Sequence, residues 1–213
     1  MTAAGGTFIV LEGPEGAGKS TLVRALGTRL LAEGFQVLSV REPGGTPVAE
    51  AARKVALKSR HEMSAPAELF LILAARADLV ERVIRPALEV GQVVLADRFD
   101  LSTRAYQVAG RGLPADDVDA ALRLATGGLV PDLTLVLDLP VELGRDRQRR
   151  ARKVKDRFER EDDAFHERVR AAYAAASGPG VVHIDATPSK PMVLEAAWRE
   201  LAAVTALSTR GSS

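Results

Sequence analysis

Thr7-Phe8-Ile9-Val10-Leu11 leads directly into Glu12-Gly13-Pro14-Glu15-Gly16-Ala17-Gly18-Lys19-Ser20-Thr21, after which Leu22, Leu26 and Leu30 recur every four residues. The first run is short, β-branched and nearly apolar throughout, as a strand buried on both faces should be. The spaced leucines put one apolar stripe on a helix. Between strand and helix, Gly13 to Ser20 fits G-x-x-x-x-G-K-[ST], a pattern that requires this strand–loop–helix setting. Glycines let the backbone close around a polyphosphate, and the unpaired N–H groups of the helix start point at the anion. Gly13, Pro14, Glu15, Gly16, Ala17, Gly18, Lys19, Ser20 and Thr21 are therefore expected around a nucleoside triphosphate. Lys19 would reach the β- and γ-phosphates and the Ser20 hydroxyl would sit on Mg²⁺. A glycine-rich turn that binds nothing is the plainer reading, and the agreement of pattern, strand and helix speaks against it.

Outward from this stretch the same alternation continues. Gln36–Val40, Gln92–Ala96, Thr134–Leu137 and Val181–Ile184 read as further buried strands. Leu69, Leu73 and Val80 stripe a helix that Gly91 should close. The expected fold is α/β, with a five-stranded parallel sheet flanked by helices in three layers and joined by right-handed crossovers. Residues 1–207 should form one domain, with 208–213 a frayed polar tail. Of 213 residues, 46% are hydrophobic and 27% charged, enough for a sizeable core. A net charge of +1 and 4% aromatics argue against a protein held to nucleic acid or anionic lipid by bulk charge or base stacking. No cysteine is present, which excludes thiolate metal sites and fits a reducing compartment. There is no apolar run of the ~18 residues a membrane helix needs, and the start resembles no secretory signal. A cytoplasmic protein without nucleic-acid or membrane partners is expected.

Asp97-Arg98 ends the third strand, the edge where ligands of parallel sheets bind. A guanidinium there offers a planar fork to a phosphate, and a carboxylate can order Mg²⁺ through water, making Ser20 and Asp97 the candidate metal residues. An Asp–Arg pair that merely caps a strand is the alternative.

From about Phe8 to the final helix the chain resembles the thymidylate kinases. The resemblance is carried by Glu12 to Ser20, Arg41-Glu42-Pro43-Gly44-Gly45-Thr46, Ala74-Ala75-Arg76, Asp97 to Gln107, Gly110-Arg111-Gly112, Pro131-Asp132-Leu133-Thr134 and Asp156-Arg157-Phe158-Glu159. It implies a P-loop kinase that transfers phosphate from Mg–ATP to dTMP, and a homodimer. Residue by residue, it implies that Arg98 grips the acceptor phosphate and that Glu15 approaches the acceptor 3′-hydroxyl. Arg76 would bond the thymine edge with Thr103 assisting, and Tyr106 would pack where a 2′-hydroxyl would clash, although a lone helical Tyr is often core. Arg41, Glu42, Pro43 and Arg53 would surround the acceptor phosphate, with Ser102, Gln107, Asp156 and Glu159 completing the acceptor site. One position departs from the pattern: the usual base-stacking Phe is replaced by Ile72, while Phe70 lies two residues earlier, roughly 200° around the helix, so either Ile72 packs on the base with less area or the helix is shifted and Phe70 serves.

Arg145 to Arg160 holds nine basic residues against three acidic. It could be a solvated helix face, a nucleic-acid patch without aromatics, or a lid that brings a guanidinium to the transferring phosphoryl group. Relatives lacking an Arg in the phosphate loop carry it in the lid, here about residues 145–162. Arg149, Arg150 and Arg152 are therefore the candidate catalytic arginines beside Lys19 and Arg98. Arg147 and Ala186, the latter in a loop resembling the adenine rest, join the ATP site, and His183 should be structural. Two rivals remain open at this point: a small kinase for another nucleotide or an alcohol, and a nucleotide-dependent ATPase switch with no small acceptor.

Overall fold

The computed structural model describes residues 5–59, 61–151 and 156–210. Five parallel strands, β1 (Thr7–Glu12), β2 (Val37–Arg41), β3 (Val93–Asp97), β4 (Leu133–Asp138) and β5 (Val181–Asp185), lie in the order β2-β3-β1-β4-β5. Leu11 pairs with Asp97 of β3 and with Leu135 of β4. The phosphate loop and the Asp97-Arg98 turn therefore leave neighbouring strands side by side. β1 and β3 are buried along their whole length, whereas the edge strands β2 and β5 are half-exposed. The two-sided burial read from apolar runs thus holds for the centre and weakens at the edges, which have a neighbour on one side only.

Alternate residues of β1 feed two cores. Ile9 and Leu11 pack with Leu22, Leu26 and Leu30 of α1 (Lys19–Ala32) and with Ala197 and Leu201 of the last helix. Phe8 and Val10 face the opposite layer of Leu79, Val80, Ile84 and Phe99. Each fully buried leucine contributes roughly 1.5–3 kcal/mol, so α1 is held by its stripe, while Gly18 at its start carries no side-chain cap and leaves the first N–H groups open. Thr46 and Ser64 cap α2 (Pro47–Lys58) and α3 (Ala65–Leu79) through their hydroxyls, each with a proline in the first turn.

After α3 the chain widens to a π-helical turn, Val80–Ile84, before α4 (Arg85–Glu89). A second wide stretch, Arg104–Gly110, follows α5 (Asp100–Thr103) and carries Tyr106 and Gln107. Such turns gather at functional sites because they re-aim side chains. The remaining helices are α6 (Ala115–Thr126), α7 (Val141–Ala151), α8 (Asp163–Ala174) and α9 (Lys190–Arg210), with a 3₁₀ turn at Phe158–Arg160. α9 continues through Ser208, Thr209 and Arg210, past the tail boundary expected at 208, because the alanine-rich stretch before it propagates the helix. Among the described residues no helix is long and apolar enough to cross a membrane.

Candidate active site

The phosphate loop is built around backbone that only glycine adopts without strain. At Gly13 φ is 134°, and a Cβ there would stand 2.4 Å from the Leu137 carbonyl of β4. At Gly16 φ is 76°, and a Cβ would meet the Gly144 carbonyl of α7 at the same distance. The loop is thus pressed against β4 on one side and the start of the arginine-rich helix on the other. Inside it, the Lys19 ammonium donates to the Gly13 and Pro14 carbonyls at 2.9 and 2.8 Å. Burial and then the nearby Arg98 push its pKa down to about 8.

One strand over, Arg98 sits at φ 80°, a conformation non-glycine residues hold only at a cost. Glu12 fixes it there. This carboxylate, fully buried at the end of an apolar strand, accepts from the Phe99 and Ser102 amides at 2.8 and 3.0 Å, from Ser102 Oγ and from Tyr173 OH. Arg98 in turn donates to Ser102 Oγ and Tyr173 OH, to the Gly13 carbonyl, and to Glu15 Oε1 at 2.5 Å. Tyr106 OH accepts from Arg98 and donates to Glu15. Burial would raise the Glu15 carboxyl, but Arg98, Lys19 and the Tyr106 hydroxyl outweigh it and hold the pKa down to about 2. The first phosphate-loop carboxylate is therefore a permanent anion between two cations.

A single cavity of about 1240 Å³ joins these groups, larger than the ~300–1,000 Å³ usual for one small ligand. At one end lie Glu15, Gly16, Ala17, Gly18, Lys19, Ser20, Thr21 and Ala186. At the other are Arg41, Glu42, Pro43, Arg53, Ile72, Arg76, Ser102, Thr103, Tyr106 and Gln107, with Asp97 and Arg98 between. Gly13 and Pro14 do not line the cavity; their carbonyls hold Lys19. Ser20 Oγ donates to Asp97 Oδ2 at 2.5 Å, so the two candidate metal residues are brought together. Among the described residues no cluster of three His, Asp or Glu side chains could cage a metal.

Arg76 and Thr103 also meet, Nη1 to Oγ1 at 2.8 Å, while Arg76 donates to the Phe99 carbonyl and to Glu42. Burial raises the Glu42 carboxyl to about 7 against the pull of Arg76, and its Oε1 has no partner. Ile72 is buried on the cavity wall one helical turn before Arg76, whereas Phe70 points away and is 64% exposed. Of the two, Ile72 is the one that faces the cavity. Arg53 donates to the Pro43 carbonyl, and Arg41 pairs with Glu50 near the surface.

Over the opening, Arg147 bridges the Gly16 and Ala186 carbonyls. Arg149 and Arg150 line the rim, Arg149 paired to Asp146 one turn earlier; Arg152 lies outside the described residues. Asp156 and Glu159 cap each other's amides at 3.0 Å, a capping box that closes the 3₁₀ turn against the cavity. His183 is exposed and bonds the Ala176 carbonyl.

Glu12, Tyr173 and Glu68 are functional neighbours that the sequence reading did not single out. The lone carboxylate ending an apolar strand was a signal for Glu12. Tyr173 follows Phe165 and Val169 at fourfold spacing and so looks like core, although a buried hydroxyl always needs partners.

The family described as thymidylate kinase matches residues 11–197. The thymidylate kinase of Pseudomonas fluorescens is 54% identical over 185 residues, covering 85% of this chain and 88% of that one. That of Pseudomonas syringae pv. tomato is 54% identical over 169 residues, 79% and 80% of the two chains. A sheet that sets a phosphate loop beside an arginine turn, over a cavity sized for two ligands, agrees with these matches, and the chain belongs to the thymidylate kinase family.

Proposed function

We infer that this enzyme transfers the γ-phosphoryl group of ATP to dTMP, giving ADP and dTDP, and so feeds DNA synthesis in the cytoplasm. The observation that carries the reading is the one cavity with a phosphate loop at one end and Arg98, Arg76, Gln107 and Ile72 at the other. Ser20, with Asp97 through water, would hold Mg²⁺, which supplies charge neutralisation on the donor phosphates. The acceptor oxygen is anionic at neutral pH, so no general base is required; positioning and charge compensation suffice. Arg98 orients the acceptor phosphate, Lys19 the donor, and a guanidinium from Arg149, Arg150 or Arg152 completes the charge on closure. Glu15, Tyr106, Asp156 and Glu159 surround the sugar, and Tyr106 leaves no room for a 2′-hydroxyl.

The deciding assay is ADP formation from Mg–ATP with dTMP, dUMP, UMP, CMP, AMP or GMP, beside a control without acceptor. Strong stimulation by dTMP, less by dUMP and little by UMP is expected. Hydrolysis indifferent to every monophosphate would refute the reading.

Phosphate oxygens at Nζ should return Lys19 to its ordinary range, so Mg–ATP binding takes up protons above pH 8. Calorimetry at pH 9 in buffers of different ionisation heat should report close to one proton taken up per site, and far fewer at pH 7. Buffer-independent heats at pH 9 would count against a buried lysine that is largely neutral there.

We also propose a homodimer. Val48 of α2, Phe70 and Ala74 of α3 and Leu124 of α6 are exposed, on helices that pack side by side, and such a patch calls for a partner. The mass in solution should be twice 22.7 kDa, and Leu124→Glu should shift it toward the monomer; a monomeric wild type would contradict this.

A further inference from the structure

Glu68 opens the stripe of α3 that continues, at four-residue intervals, with Ile72 and Arg76. Unlike them it does not line the cavity, and it is fully buried. Its Oε1 accepts from Gln107 Nε2 at 3.1 Å and from Arg111 Nε at 3.1 Å. Its Oε2 accepts from Arg111 Nη2 at 3.0 Å and lies 3.1 Å from Arg157 Nε. Two guanidiniums thus offset the burial of one carboxylate, and the neutral donor on it belongs to a cavity residue.

We propose that Glu68 sets the base selectivity of this enzyme by holding the Gln107 amide in a single orientation. An ionised carboxylate only accepts, so the amide must turn its nitrogen toward Glu68 and leave its carbonyl oxygen for the base. That oxygen can receive the N3–H of a thymine, whereas the N3 of a cytosine is itself an acceptor and would face it lone pair to lone pair. Arg76, a donor on the same wall, suits the carbonyl beside N3–H. Glu68 is a positioning residue, acting on the base through Gln107. The inference rests on the acceptor reading given above and names what makes that reading selective.

Glu68→Gln is nearly isosteric and tests it directly. Oε2 faces two guanidiniums and Oε1 only one, so the introduced carboxamide should keep its oxygen at the Oε2 position. Its NH₂ group then faces Gln107, which must flip and present its own nitrogen to the base. The kcat/KM ratio of dTMP over dCMP should fall at least ~10-fold, mostly through KM for dTMP, as expected when a buried polar pair is mismatched. Glu68→Asp, which keeps an acceptor-only group, should retain most of the ratio. A ratio within about twofold of wild type in Glu68→Gln, or an equal loss of kcat for both acceptors, would overturn the proposal and leave Glu68 a structural anchor. Wild-type enzyme with N3-methyl-dTMP gives an answer independent of folding. Discrimination of at least ~10-fold against it is expected, and use equal to dTMP would sink the idea. If wild type fails to phosphorylate dTMP at all, it is the acceptor reading that falls.

Discussion

Arg98→Ala is expected to lower kcat/KM for dTMP by about 10²–10³-fold, or roughly 3–4 kcal/mol of transition-state stabilisation, the worth of one oriented donor at a developing charge. Arg98 is held by Ser102, Tyr173, Tyr106, Glu15 and the Gly13 carbonyl, so its fork is aimed before substrate arrives. Lysine cannot reproduce a planar fork, and Arg98→Lys should recover little. The strained backbone allows a sharper test. With φ at 80°, alanine inherits the strain and glycine relieves it, by about 1 kcal/mol. Arg98→Gly should therefore melt higher than Arg98→Ala while being equally inactive. Near-normal turnover in either variant, measured with saturating Mg–ATP, would remove Arg98 from the reaction.

Replacing Lys19 with alanine should abolish turnover to at least ~10³-fold below wild type, because the loss falls on the phosphoryl group where charge builds up. Stability should move the other way. A fall in pKa from 10.5 to about 8 means that the fold disfavours the ammonium by about 3 kcal/mol. The sign follows from linkage: below about pH 8 the cost is fully present, and from there to about 10.5 the folded protein holds fewer protons than the unfolded chain, so stability rises with pH. At pH 7 Lys19→Ala should thus melt at or above the wild-type temperature without nucleotide. It should also lose the upward shift that ATP gives the wild type. A variant that melts several degrees lower at pH 7 would mean that Glu15, Asp97 and Glu12 stabilise the ammonium more than burial harms it.

The fold was legible because its signals are local. Apolar runs, leucines at fourfold spacing and the glycine pattern each depend on neighbours along the chain, and all five strands lie within two residues of where these place them. Contacts within the phosphate loop were legible for the same reason. What the residues alone could not give is the sheet order, which is set by pairings between residues 47 to 124 positions apart, and the web around Arg98. Glu12 and Tyr173 stand 161 residues apart yet share a hydrogen bond, and no periodicity signals that. Glu68 was hidden in a different way: it occupies a helix stripe with apolar neighbours, and its partners Gln107 and Arg111, and then Arg157, come from two distant stretches. Which of Ile72 and Phe70 lines the cavity needed only the helix phase, and the structure turns Phe70 to solvent.

The strand order also governs how the chain emerges during synthesis. β1 is made first and lies in the middle of the sheet, with one neighbour beginning at Val93 and the other at Leu133. The Phe8 amide donates to the Asp132 side chain. At about 5–20 residues per second, Phe8, Ile9, Val10 and Leu11 wait on the order of ten seconds with both edges open, an apolar ribbon that chaperones would shield. The nucleotide site cannot exist in that interval, since Gly13 is pressed against β4 and Gly16 against Gly144. Nucleotide can therefore stabilise only a chain whose first two-thirds have already been translated, and cannot rescue one that aggregates earlier.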